Sequence, residues 1–224
     1  MNEREKILSR VREALKTQAT LPGLPGHAST PTTGSTPRQW LPEVPDSFDA
    51  QIALFARNAA GLKADFQLFN STGEMCQALE QLRDAEGWKR VAGHAGDLAN
   101  AICPALNLPL FRTDRVYDVH ELEACDAGIS ECDALIAQTG SVLVTNRSAG
   151  GRALSVLPPH HVVLARREQL VADLPAAFEL LQQKYAANYP SMISFITGPS
   201  RTGDIERILV LGAHGPKKLT IFCL

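Results

Sequence analysis

Apolar residues recur at helical spacing from the start of the chain: Ile7, Leu8, Val11 and Leu15 share one face of residues 3–17 and charges fill the others. The periodicity then lapses. Residues 18–45 carry six prolines, at 22, 25, 31, 37, 42 and 45, in a Ser/Thr/Gly background. Such a stretch buries too little apolar surface to fix its backbone, so it reads as a flexible linker. From Asp46 the pattern returns. Phe48, Ile52, Leu54, Phe55 and Leu62 predict a helix over about 47–61, and Phe66, Leu68 and Phe69 alternate as in a strand. Ser71 followed by Glu74 forms a capping box that opens a helix to about Ala85. Short apolar runs at 89–92 and 108–112 bracket a helix over 97–106. Alternating helices and strands favour a parallel or mixed sheet covered on both faces.

The texture changes at 133. Ala134–Ala137 and Ser141–Thr145 are strands broken only by Gln138-Thr139-Gly140, the spacing of a hairpin or sharp bend. A strand at 162–165 precedes a helix over 168–187, with Leu170, Leu174, Phe178, Leu181 and Tyr185 on one stripe. Strands at 192–196, 208–213 and 219–223 complete the chain. The expected organisation is an amphipathic helix (1–17), a linker (18–45) and an α/β domain over 46–224, a mixed sheet flanked by helices.

Composition narrows the function classes. The chain has 224 residues, 45% hydrophobic and 21% charged, with net charge −2, a balance that favours neither nucleic acid nor an anionic membrane surface. No run approaches the roughly 18 apolar residues of a membrane span. The charged opening MNEREKILSRVREALK lacks the apolar centre of a secretory signal. Cys76, Cys103, Cys125, Cys132 and Cys223 are odd in number and form no CxxC pair, which argues against a disulfide framework, a structural zinc site or an iron–sulfur cluster. The cytoplasm is the expected compartment.

Three turns could carry chemistry. In Thr197-Gly198-Pro199-Ser200-Arg201-Thr202-Gly203-Asp204, a strand leads into an expected short helical turn. Free N–H groups beside Arg201 suit a phosphate or carboxylate, while Ser200 and Thr202 serve equally as plain helix caps. Asp204 is open as an acid or base; Glu206 reads as an ordinary partner of a helix dipole. His214, which follows Gly212-Ala213 and precedes Gly215 at a strand end, either faces a cleft as a proton donor or anion contact or bonds the turn backbone; with Asp204 it is the catalytic candidate. His160 and His161 follow Pro158-Pro159, and adjacent strand positions face opposite ways, so the two do not easily share a metal; no metal site is expected. Thr139-Gly140-Ser141 suits either a tight turn or close approach of a ligand to the backbone. Asn146-Arg147-Ser148-Ala149-Gly150-Gly151-Arg152 reads as a surface loop able to close over an anion, though more often such a segment is only a loop.

Taken together, the runs ECDALIAQTGS (131–141), PPHH (158–161) and GPSRTGDIERILVLGAHGPKKL (198–219) resemble the lactate utilisation protein C family, which carries a LUD domain. The resemblance implies a fold similar to the sugar-phosphate isomerase, CoA-transferase and methenyltetrahydrofolate synthetase group. It also implies membership of a three-protein system that oxidises L-lactate to pyruvate with iron–sulfur partner proteins. The positions it carries over are Thr139, Gly140, His160, Gly198, Pro199, Ser200, Arg201, Thr202, Asp204, Glu206, His214 and Gly215. Two positions depart from the family pattern: Gly203, where a small non-glycine residue is usual, and Gln138, where an acid is frequent. Removing two electrons from lactate needs a nicotinamide, a flavin or a metal cluster. With no GxGxxG and no cysteine cluster, the chain is expected to carry no cofactor of its own and to serve as an accessory, small-anion-binding subunit. The alternative is an independent enzyme acting on a phosphorylated or CoA-linked small molecule.

Overall fold

The computed structural model describes residues 3–14, 16, 42–205, 208–211 and 214–224, the side chains of 3, 11, 14 and 202–211 excepted. It divides into two units, Met1–Trp40 and Leu41–Leu224. In the first, helix α1 is described over Glu3–Ala14, Leu15 and Thr17 of the expected helix lie outside the described residues, and its Ile7 and Leu8 are exposed. Of the expected linker, 18–41 lie outside the described residues.

In the second unit, hydroxyl caps set the helix starts. Ser47 accepts the N–H of Ala50 and opens α2 (Phe48–Gly61). Strand β1 (Asp65–Leu68) follows, and Ser71 accepts the N–H of Glu74 to open α3 (Thr72–Glu86). The Glu74 carboxylate reaches back to the N–H of Asn70, one residue before the expected capping-box partner. Next come β2 (Val91–Gly93), α4 (Asp97–Ile102) with a 3-10 turn to Leu106, β3 (Leu110–Arg112), α5 (Val119–Glu123) and β4 (Ala127–Glu131). A tight antiparallel pair follows, β5 (Ala134–Ile136) and β6 (Ser141–Thr145), the hairpin that the chain pattern implied. The rest is β7 (His160–Ala165), β8 (Leu170–Val171), α6 (Leu174–Tyr185), β9 (Ile193–Ile196), β10 (Arg201–Ile205), β11 (Ile208–Leu211) and β12 (Lys218–Cys223).

Six strands form a parallel sheet in the order β1-β12-β7-β4-β2-β3. Alternation along its central strands sorts the side chains to two faces. Val162, Leu164 and Phe222 join Met75, Leu79 and Ile102 from α3 and α4; Val163, Ala165, Leu219 and Ile221 join Phe55 and Ala59 of α2 and Leu135, Val142 and Val144 of a second sheet. That second sheet, β8-β5-β6-β9, is mixed, and its far side packs on Ala177, Leu181 and Tyr185 of α6. β10 and β11 make a separate antiparallel hairpin. The fold is thus α/β, a parallel sheet flanked by helices, and among the described residues no helix is long and apolar enough to cross a membrane.

Three elements differ from the expectation. β4 falls in a stretch where the apolar pattern gave no element: Ala127 and Ile129 turn to the core in alternation, but Gly128 between them offers no side chain, and a Cβ there would lie 2.5 Å from the carbonyl oxygen of Leu154. The helix expected over 168–187 starts at Leu174, with Asp173 accepting the N–H of Ala176 as its cap and Pro175 in its first turn; Leu170 instead pairs with Leu135 in β8. Finally, Arg201–Ile205 is strand rather than the approach to a helical turn, so Ser200 and Thr202 do not cap a helix there.

Candidate functional site

The residues of the C-terminal signature meet at the foot of the β10–β11 hairpin. Ser200, just before β10, donates its N–H to the carbonyl of Pro216, just after His214-Gly215. A Cβ on Gly215 would lie 3.2 Å from Cβ of Ser200, so glycine lets the two turns touch. Gly198 has φ +86° and sits where a Cβ would come within 2.8 Å of the Leu62 carbonyl oxygen at the end of α2. Gly140, at φ +65°, is crowded in the same way by the backbone of Asn58 and Ala59, while the Asn58 amide donates to the carbonyls of Ala137 and Gln138. Both conformations belong to the left-handed region that glycine alone enters freely. One helix therefore seats both turns, and a hydrogen bond of 2.8 Å between the hydroxyls of Ser141 and Thr197 joins them.

Two concavities flank this foot. A cavity of about 250 Å³ is lined by Gly198, Pro199, Ser200, His214 and Gly215, together with Ser155, Ser194, Thr197 and His161. A larger cleft of about 600 Å³ is lined by His160, Pro199, Arg201, Lys63, Lys217 and Lys218, with the carboxylates of Asp65 and Glu86. Four cations face two carboxylates there, and one carboxylate, Glu86, is held by Lys218 at 2.6 Å. The cleft thus offers an anion a positive wall, with Arg201 at its mouth able to fork two hydrogen bonds.

The two histidines face opposite sides of the sheet, as alternation requires. Nε2 of His160 is 2.9 Å from the Thr220 hydroxyl, and its ring packs edge-on against Trp88. Nε2 of His161 is 2.8 Å from the Ser130 hydroxyl. Burial pushes the His160 imidazole down to about 4, and burial with the neighbouring His160 pushes His161 down to about 3, so both rings are neutral near pH 7. Nδ1 of each is buried and has no partner among the described residues, as does the hydroxyl of Thr139. In the wall of the 250 Å³ cavity, His161 is therefore a ready contact for a polar occupant.

Gly198, Ser200, His214 and Gly215 come together as a group; His160 and Arg201 share the neighbouring cleft; Thr139 and Gly140 support the foot from α2 and line neither concavity. Thr202 and Asp204 fall on β10, with side chains outside the described ones, and Glu206 lies outside the described residues.

Residues 91–224 match the model of the LUD domain family. Lactate utilization protein C of Shouchella clausii is 31% identical over 180 residues, 77% of this chain and 78% of that protein. This chain belongs to the LUD domain family. Its relatives also include lactate utilization protein C of Anoxybacillus flavithermus (36% identical, covering 46% of each chain) and of Bacillus subtilis (32%, covering 45% of this chain and 43% of that one). With several such relatives the match thus spans under half of either protein. A solved structure, a DUF162 family protein from Deinococcus radiodurans, shares the fold at TM-score 0.63 and 21% identity, over 80% of this chain and 99% of that one.

Lys63 and Lys217 were not singled out from the chain alone, and His161 was weighed there only as a possible metal ligand. His161 shares the Pro-Pro-His-His run with His160, and its pairing with Ser130 emerges only when β4 lies beside β7. Lys63 follows α2, far from the signature in sequence, and reaches the cleft because β1 pairs with β12. Lys217 carried a signal, since it stands within the signature run itself.

Proposed function

We propose that this LUD domain protein is an accessory component of L-lactate utilisation that binds a small carboxylate or phosphate and works beside iron–sulfur proteins that take the electrons when lactate becomes pyruvate. The names of its relatives support the pathway. The observation that carries the binding role is the Arg201 cleft, with Lys63, Lys217 and Lys218 on its walls and the small hydroxyl- and imidazole-lined cavity next to it. The chain offers positioning groups and no GxGxxG or clustered thiolates to accept a hydride or electrons, which supports a partner for that step.

Isothermal titration of the full chain with L-lactate and with inorganic phosphate tests the reading. Saturable binding of either, weakened about tenfold by Arg201→Met with an unchanged melting temperature, is the expected result. Binding of neither anion, or equal binding by the variant, overturns it. Affinity purification from lactate-grown cells should also recover cysteine-rich iron–sulfur proteins, and a deletion strain should fail to grow on lactate.

The size of the cleft, about 600 Å³, favours a second reading: an enzyme of its own acting on a phosphorylated or CoA-linked small molecule. A thermal-shift panel of sugar phosphates, CoA esters and folates separates the two, since a ligand of the native state raises the melting point by mass action.

A further inference from the structure

The foot of the hairpin lies at the amino ends of β7 and β12, whose first residues are His160 and Lys218. The opposite end of the parallel sheet holds a different arrangement. From β2 the chain leaves through α4 towards β3 on one side; from β4, the neighbour of β2, it leaves towards β7 on the other. The loops after β2 and β4 thus part company at their carboxyl ends, and open α/β sheets bind ligands in the crevice such a divergence leaves.

That crevice is built. His94, the first residue after β2, is 4% exposed, and its Nε2 accepts the N–H of Glu131, the last residue of β4, at 3.2 Å. The Glu131 carboxylate accepts the N–H of Ala99 at 3.0 Å, in a space that a Cβ on Gly96 would invade. Gly150 rests on His94 so closely that a Cβ would clash with the ring's own Cβ, and the Thr113 hydroxyl donates to the Gly150 carbonyl at 2.7 Å. The loop carrying Gly150 is fastened from behind by Ser148, whose hydroxyl donates to the buried Asp133 carboxylate at 2.6 Å.

The result is a cleft of about 510 Å³ whose walls include Arg115, Arg147, Asn146 and Asp114. Its polar groups are mostly donors. The exception is Asp114, whose Oδ1 takes both Arg112 Nε at 2.9 Å and the N–H of Ala95 at 3.1 Å. Asn146 spends its carbonyl oxygen on the N–H of Met192, which leaves its NH2 to donate. Arg147 uses one Nη2 hydrogen on the Asn188 carbonyl and lies over the Tyr185 ring, so its guanidinium is held with further donors to spare. Arg115 is exposed at the rim.

We propose that this carboxyl-end cleft is a second ligand site, separate from the Arg201 cleft, that takes a small organic anion with its phosphate or carboxylate group between Arg115 and Arg147 and its body against His94 and the Gly150–Gly151 backbone. It does not depend on the role assigned to the Arg201 cleft. Its volume suits a metabolite of sugar-phosphate size.

Amide-resolved NMR titration of the full chain with inorganic phosphate and, separately, with malonate tests the assignment. Saturable shifts of the Ala95, Gly150 and Gly151 amides are expected with at least one probe, and the stronger probe tells a phosphate from a carboxylate site. The dissociation constant should rise about tenfold in Arg115→Met/Arg147→Met and stay unchanged in Arg201→Met. Should the double variant lose its dispersed spectrum, Arg115→Met alone carries the test, with a smaller rise, since Arg115 is exposed. Silence of those amides to both probes, or affinity retained without the rim arginine, overturns the proposal. Shifts confined to the Gly198 and Gly215 amides overturn it as well while leaving the Arg201 reading in place; shifts confined to Gly150 and Gly151 do the reverse.

Discussion

The hydroxyls of Ser141 and Thr197 stand 2.8 Å apart across 56 residues of chain, and this contact fastens the turn of one hairpin to the turn that opens another. Beneath it the carboxyl half of α2 carries both Gly140 and Gly198 on its backbone.

Gly140→Ala and Gly198→Ala should each destabilise the domain by about 1–3 kcal/mol, because each meets a positive φ and a backbone wall together. Urea denaturation followed by circular dichroism measures it. Gly73→Ala, whose Cβ would meet nothing nearer than Ser71 Oγ at 3.9 Å inside α3, is the control and should be neutral or mildly stabilising.

Asp133 is buried and accepts hydrogen bonds from Ser148, Lys184 and Tyr185 at 2.6, 2.7 and 2.6 Å. Burial alone would raise its carboxyl; the three donors overcome that and hold it below the ordinary range. Asp133→Ala leaves Lys184 and Tyr185 without their acceptor and should cost about 3–5 kcal/mol. Lys184→Met should cost less, because that ammonium is half exposed. A Lys184 loss equal to that of Asp133→Ala would refute this account of the network.

Stability should decline with acid through the two sheet histidines. Their folded pKa values, about 4 for His160 and about 3 for His161, lie below the unfolded value of 6.5, so the unfolded chain binds the extra protons as pH falls. The contribution is complete above pH 6.5 and is lost as pH falls from there through the two folded values. Denaturation midpoints taken from pH 7 to 4.5 test this. His160→Gln should flatten the slope by about half, and an unchanged slope would contradict it.

Thr113→Val removes the hydroxyl that holds the Gly150 carbonyl and should cost about 1 kcal/mol while raising hydrogen exchange at Gly150 and Gly151. Exchange unchanged at both amides would show that the loop is held by Ser148 alone.

Much of this fold was legible because apolar alternation and side-chain caps are local signals. The β5–β6 hairpin, the cap at Ser71 and the strands β7 and β12 all declare themselves within a few residues. β4 did not, since its Gly128 answers to the Leu154 carbonyl, 26 positions on, and only the assembled sheet shows why a side chain is forbidden there. The stretch after Arg201 was misread for a related reason: Ser, Thr, Gly and Asp suit a helix start and a strand entrance alike, and the pairing of Thr202 with Val210 decides between them. The site divided in the same way. Gly198, Ser200, His214 and Gly215 converge as neighbours in a single run of sequence can, whereas His161, Lys63 and the Arg115–Arg147 rim depend on which strands lie side by side.

The bond from the Ser200 N–H to the Pro216 carbonyl has a topological consequence. The chain departs for the β10–β11 excursion and comes back at one point, and among the described residues these two strands pair only with each other. A short bridge from Ser200 to Pro216 would remove the detour and leave every strand pairing of the main sheet where it is. The excursion between Ser200 and Pro216 is then an appendage on a body that folds by other means.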